Sequence, residues 1–363
     1  MSVSSIRCHA GPNGSALLRA TLLVGALLSS ACAAHIARKP VVWPDPPDKP
    51  RIQFVKAFRE SQDLDTTSWA RFLRALVGGS GDPVLVQPMG LAISEDGQRL
   101  YIADHGQNHV FVADFARRRL TAFAPEEAMG TPFNVALDSD ENVYIADSIG
   151  KSVIVFTRKG ERLRVIGQGD LDRPTGLALD RQRKVLYVAD GSFPKSEHHR
   201  VLAYDLAGKH LFDLGPKEGP SAKGSGEGQF YVPSYLALDR DGNVYVADTM
   251  NFRIQEFGSN GKFLRQFGQN GDSPGAFARL KGLAFDSFGN LYAVDGDHSN
   301  VQIFNHDFKE LMFFGGYARK LEYFDIPSGI AIDPKTNRIY VCNEFLARIN
   351  VYDLINTTAA DGN

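Results

Sequence analysis

Cysteine is almost missing from this chain, with three among 363 residues. Cys8 and Cys32 stand near the N-terminus. Cys342 takes the place of an alanine in an apolar strand pattern, where a buried small residue is expected. No disulfide framework can be assembled from these, so stability must come from a core. An excess of charge is missing too. Forty Lys and Arg face 42 Asp and Glu, for a formal net charge of −2, and no long block of one sign occurs. That removes the bulk electrostatic case for nucleic acid. The short cluster Arg117-Arg118-Arg119 reads as a solvated turn. No apolar run reaches the roughly 20 residues of a membrane-spanning helix. What the chain has instead is 35 Gly and 18 Pro, the punctuation of many turns, with 43% hydrophobic residues.

The N-terminus has the order of an export signal. Arg7 and Arg19 are followed by the short apolar stretch Ala20 to Ala31, which ends in small residues. Ser29, Ser30 and Ala31 before Cys32 resemble a bacterial lipoprotein signal, although Ser29 stands where Leu is usual and Leu28 is one place early. The resemblance implies that residues 1–31 are removed and that Cys32 carries lipid. Ala33 in place of Asp resembles signals for the outer membrane. The expected location is the bacterial cell envelope, lipid-anchored, with a secreted or periplasmic protein if Cys32 is not lipidated. Residues 32–50 hold Lys39-Pro40, Trp43-Pro44, Pro46-Pro47 and Lys49-Pro50, and read as an extended tether.

Residues 51–58 alternate as a strand. Trp69, Phe72, Leu73 and Leu76 recur at helical spacing and predict one short amphipathic helix over about 67–77. Then one unit is written six times. Its first strand opens at Pro88-Met89-Gly90, Pro132-Phe133-Asn134, Pro174-Thr175-Gly176, Pro233-Ser234-Tyr235, Leu280-Lys281-Gly282 and Pro327-Ser328-Gly329. Its second strand ends on Asp104, Asp147, Asp190, Asp248, Asp295 and Asn343, which are 43, 43, 58, 47 and 48 apart by subtraction. That period, with strict alternation and Gly/Asn/Asp turns, is the period of a four-stranded propeller blade. The last unit stops after three strands near Leu354, and the strand at 52–58 can supply the fourth. The expected fold is all-β: a six-bladed β-propeller over 51–354, closed by an N-terminal strand, with a tail at 355–363.

Gly226-Glu227-Gly228-Gln229-Phe230 leading into Pro233, the run Asp241-Gly242-Asn243-Val244-Tyr245-Val246-Ala247-Asp248, and Asn251 with Arg253 resemble the NHL-repeat family. The lipoprotein-type leader adds a resemblance to exported bacterial NHL proteins. Seen beside its five relatives, each second-strand Asp reads as a corner fastening satisfied by backbone amides or by an Arg such as Arg200, Arg253 or Arg348.

Function should lie where the units differ, at the end of the ring that carries the first-strand prolines and the loops after Ala-Asp. The candidate ligand-binding rim there comprises Met89, His105, Phe133, Tyr235 and Thr249, together with Lys281, Asp297, His298 and Glu344. It is mixed in character and suits a peptide or small organic ligand. His105, His298 and Glu344 lie on neighbouring units and are candidate ligands for a divalent metal, although no tight ligand spacing is present. No other cofactor is implied. The fold also resembles that of peptidyl-hydroxyglycine amidating lyases, and that resemblance implies metal histidines that include ones directly after the first-strand Pro. Here those positions are Met89, Phe133, Thr175, Ser234 and Ser328, and none is His. With no nucleophile–base arrangement visible, the expectation is a non-catalytic binding or scaffolding module, monomeric, for an extracytoplasmic protein, peptide or envelope polymer. The alternative is a metal-dependent lyase or hydrolase of that propeller class.

Overall fold

The computed structural model describes residues 39–65, 82–191, 198–215 and 223–357. The expected signal peptide, Cys32 and the expected helix at 67–77 lie outside the described residues.

The period-2 segments form six antiparallel sheets around one axis. Blade one comprises Pro88–Ile93, Arg99–Asp104, His109–Asp114 and Arg119–Phe123. Blades two to five repeat the order, opening with Pro132–Leu137, Pro174–Asp180, Pro233–Leu238 and Leu280–Phe285. Blade six has Pro327–Ile332, Arg338–Asn343 and Arg348–Leu354. Its fourth strand is Ile52–Phe58, paired antiparallel from Ile52 opposite Leu354 to Phe58 opposite Ile349. The ring is thus closed by joining both ends of the chain, as the orphan strand implied.

The sheet starts earlier than expected. Val42–Trp43 adds a fifth strand outside Ile52–Phe58. The Trp43 ring lies 5.8 Å from Tyr352, 6.0 Å from Tyr323 and 6.1 Å from Phe314. The C-terminal part of the expected tether therefore belongs to the propeller, because an aromatic side chain with three aromatic neighbours gains more by packing than by extending into solvent.

Alternate side chains of each blade face the next blade, and six apolar clusters fill the six seams. One of them, between blades six and one, holds Cys342, fully buried, whose thiol is pushed up by burial. The recurrent tyrosine of the second strand is buried in every blade. In blades two and five its hydroxyl donates to the aspartate that directly follows the first strand, Tyr144 to Asp138 and Tyr292 to Asp286, each at 3.2 Å. The same aspartates hold the hairpin turn: Asp286 accepts from the backbone amides of Phe288 and Asn290 and from the Asn290 side-chain amide, at 2.8 to 2.9 Å.

Candidate functional site

Each inner strand is irregular at its start. The pairing register shifts directly after the first paired residue in all six blades, for example between Pro88 and Gly90 and between Pro132 and Asn134. A residue left out of the ladder is re-aimed. This is why the variable position after the proline lines the axial channel rather than a seam. The next position is glycine in four blades because the inner strands nearly touch there. A Cβ on Gly90 would sit 2.6 Å from the Asn134 Cα, and one on Gly329 would sit 2.3 Å from the Met89 carbonyl oxygen.

Blade four puts Tyr235 at that glycine position. Its side chain, 4% exposed, crosses the axis, and its hydroxyl donates to the Met89 carbonyl of blade one at 3.0 Å. Burial pushes the Tyr235 hydroxyl well above its usual range. Phe133 of blade two meets it with ring centroids 5.8 Å apart. The two rings block the channel and form the floor of a cavity of about 280 Å³.

Seven of the nine expected rim residues line this cavity: Met89, His105, Phe133, Tyr235, Thr249, Lys281 and Glu344. Lys281 Nζ donates to Glu344 Oε2 at 2.7 Å, and Gln87 Nε2 donates to Glu344 Oε1 at 2.8 Å. Burial pushes the Glu344 carboxyl up, but the adjacent Lys281 ammonium and the two hydrogen bonds outweigh it and hold the group below the usual carboxylate range. Burial pulls the Lys281 ammonium down, opposed by Glu344. Thr249 Oγ1 donates to the Leu280 carbonyl at 2.9 Å and shares a hydrogen bond of 2.6 Å with Ser234 Oγ. His105 Nδ1 is buried and has no hydrogen-bond partner.

Asp297 and His298 are not part of the cavity. His298 is clamped, with Nδ1 3.0 Å from Asp295 Oδ2 and Nε2 3.0 Å from Asp272 Oδ1. Asp297 is half exposed, 3.7 Å from Arg279. The structure therefore does not gather His105, His298 and Glu344. Among the described residues no group of three or more His, Cys, Asp or Glu side chains is placed to hold a metal ion. Sequence reasoning missed Gln87, Arg173 and Arg279, which also line the cavity. They occupy the position just before the first-strand opening. That position differs from blade to blade (Gln87, Thr131, Arg173, Val232, Arg279, Ile326), the same signal that marked its neighbour. Three exposed apolar side chains stand at one turn position of the loops after the second strand, the second after the corner residue: Ile149, Met250 and Phe345 in blades two, four and six.

The corner aspartates are fastenings. Asp147 accepts from the Gly130, Thr131 and Gly150 amides at 2.7 to 2.8 Å, and Asp248 accepts from Tyr231 N and from Asn251, Arg253 and Gln255 side chains. Arg200 reaches Asp190 at 3.2 Å. Arg348 departs from the expectation: it bonds Asn350 Oδ1 and the Lys320 and Tyr323 carbonyls, since Asn343 offers no charge to attract it. His199 opens the third strand of blade three, is buried, and its Nδ1 accepts from Val232 N at 3.1 Å.

Two family profiles match this chain: "SMP-30/Gluconolactonase/LRE-like region" over residues 82–189 and "NHL repeat" over 230–257. NHL repeat-containing protein 2 of Gallus gallus is 30% identical over 173 residues, covering 40% of this chain and 23% of that protein. Peptidyl-glycine alpha-amidating monooxygenase of Mus musculus is 26% identical over 181 residues, 45% of this chain and 18% of its own length. The chain thus spans less than a quarter of either relative. Among solved structures, a gluconolactonase from Xanthomonas campestris superposes with a TM-score of 0.56 at 17% identity, over 83% of this chain and 98% of that one, a likeness of fold alone. Six blades of one repeating pattern in a closed ring make the chain a six-bladed β-propeller, and an NHL-repeat profile is seated on its fourth blade.

Proposed function

We propose that this propeller is a binding or scaffolding module, held at the bacterial cell envelope through a lipid on Cys32, with the outer membrane as its favoured site. Its ligand is an extracytoplasmic protein, peptide or envelope polymer. The observation that carries this reading is the floored cavity. Tyr235 and Phe133 close the axis, and the titratable pair inside, Lys281 and Glu344, is spent on mutual neutralisation. The rest of the lining is a concave surface with hydroxyls and two guanidiniums, and the loops after the second strands expose Ile149, Met250 and Phe345, a combination that offers contact and hydrogen bonds. The test is capture of envelope components by the immobilised protein under mild crosslinking, with Phe133→Ala and Arg279→Glu beside the wild type. A component held by the wild type and lost from both variants is expected. Equal capture by all three, or none, overturns the reading.

A metal-dependent lyase or hydrolase is the second reading, and one observation favours it: the partnerless Nδ1 of His105 in the cavity wall. Elemental analysis of protein purified without a His-tag, with melting curves with and without zinc, decides it. No bound metal and no shift of melting temperature remove it.

A further inference from the structure

The closing strand puts a charge where a seam side chain belongs. Simple alternation along Ile52–Phe58 would set Ile52, Phe54, Lys56 and Phe58 on one face. The observed register breaks that pattern. Phe54 lies opposite Tyr352 and Lys56 opposite Val351, so Val55 is an extra residue, a β-bulge. Because Tyr352 and Val351 are successive, they face opposite sides. Ile52 and Phe54 therefore pack with Tyr352 between blades five and six, whereas Phe58 packs with Val351 between blades six and one. Lys56 follows Val351 into that second seam.

There it enters a cavity of about 300 Å³ at the hairpin-turn end of the ring, shared with Arg118 and Arg338. The rings of Phe115 and Tyr340, stacked with centroids 5.5 Å apart at 13°, form one wall. The carboxylate in the lining is Asp333, already engaged by the Lys335 amide at 2.9 Å and the Thr336 hydroxyl at 2.7 Å. Arg338 is committed to Asp353 through two bonds, at 2.7 and 3.1 Å. Lys56 has no hydrogen-bond or ion-pair partner among the described residues. Burial, then the field of Arg338, pulls its ammonium below the usual lysine range, with Asp63 opposing in part. A half-buried ammonium between two guanidiniums is unfavourable by desolvation and by repulsion, and an anion in the same space relieves both.

We propose that this cavity is a second site, independent of the axial one, that binds a small oxyanion of the phosphate, sulfate or carboxylate class with Lys56 Nζ as its donor. Charge-assisted bonds from an ammonium to such an oxygen are the strong kind, and the aromatic wall accepts a planar substituent on the anion.

The experiment is calorimetric titration of inorganic phosphate into the full chain, wild type and Lys56→Gln, with circular dichroism to confirm the variant's fold. Removing the donor is expected to weaken binding about ten- to a hundredfold. In phosphate-free buffer of low ionic strength, Lys56→Gln is expected to melt above the wild type, and phosphate should close that gap. Lys56→Arg keeps the charge and should keep the affinity, so the site stays testable if the Gln variant does not fold. A parallel arm uses vesicles of neutral phospholipid with and without an anionic phospholipid. Retention on the anionic vesicles that Lys56→Gln abolishes supports the site with a lipid headgroup as the anion's source. No phosphate heat in the wild type together with no vesicle retention, or equal affinity in wild type and Lys56→Gln, overturns it. Neither result touches the axial cavity, so the binding reading stands or falls on its own test.

Discussion

Lys281 and Glu344 show how one residue pair decides what the axial cavity can do. Both side chains are about one-tenth exposed or less, so water screens their attraction little. Removing one partner leaves a buried charge unpaired, a loss of about 3 kcal/mol or more, whereas replacing both by apolar side chains of similar volume is close to neutral. Glu344→Gln is therefore expected to lose about 3 kcal/mol in urea unfolding, and Lys281→Met with Glu344→Leu to recover most of it. The pH dependence follows from the direction of the Glu344 shift. Its carboxyl is held below the unfolded value of about 4.3, so its contribution is fully present above that pH and is lost as pH falls through the lower folded value. Wild type and Glu344→Gln should converge in stability as that carboxylate protonates, and a difference that persists at the lowest pH contradicts the assignment. At this scale the sequence was legible wherever repeats differed. Tyr235 could be picked out because it departs from its five counterparts. That it spans the axis could not, because alternation predicts a face and not the bulge that re-aims the start of every inner strand.

Among elements, the corner between second and third strands recurs with the same logic and different partners. Asp147 takes three backbone amides, Asp248 one amide and three side chains, and Asn343 manages with one amide and one carbonyl. The repeated Asp predicted a fastening and the structure shows one, because a short acceptor at a strand end meets the amides of the segment before the proline. Asp147→Ala strands three amides, two of which sit next to the first strand of blade two. A loss of about 3 to 5 kcal/mol in denaturant unfolding is expected, at the upper end of single substitutions. Asp147→Asn keeps one acceptor oxygen and should lose less. Equal losses would mean that the charge, not the acceptor geometry, holds the corner. Two elements were misread or unseen. Proline content made residues 32–50 look like a tether throughout, although Trp43 has an aromatic pocket at the ring's edge. The bulge at Val55 leaves no sequence signal, since Val is a good strand residue on either face.

For the whole molecule, the closing strand determines whether there is a ring. The blade count was legible from spacing alone, and so was the missing fourth strand of the last repeat. The physical consequence is that residues far apart in the chain share one sheet: Ile52–Phe58 lies between Val42–Trp43 and Arg348–Leu354. It contributes Ile52 to the seam between blades five and six and Phe58 to the seam between six and one. Two N-terminal deletions separate its roles. A chain beginning at residue 51 loses Val42–Trp43 and its three ring contacts but keeps the closing strand. It should remain a cooperative, monodisperse propeller with a lower melting temperature, by about 2 to 4 °C for each kcal/mol lost. A chain beginning at residue 59 exposes the outer edge of Arg348–Leu354 and opens both seams at once. An unpaired edge beside exposed apolar surface is a template for another chain, so this protein should lose its sharp melting transition and elute as oligomers or aggregate. Size-exclusion chromatography with light scattering, alongside thermal melts, distinguishes the two. If the shorter chain instead melts cooperatively as a monomer, the closing strand is dispensable, and the ring is held by the other five blades and their seams alone.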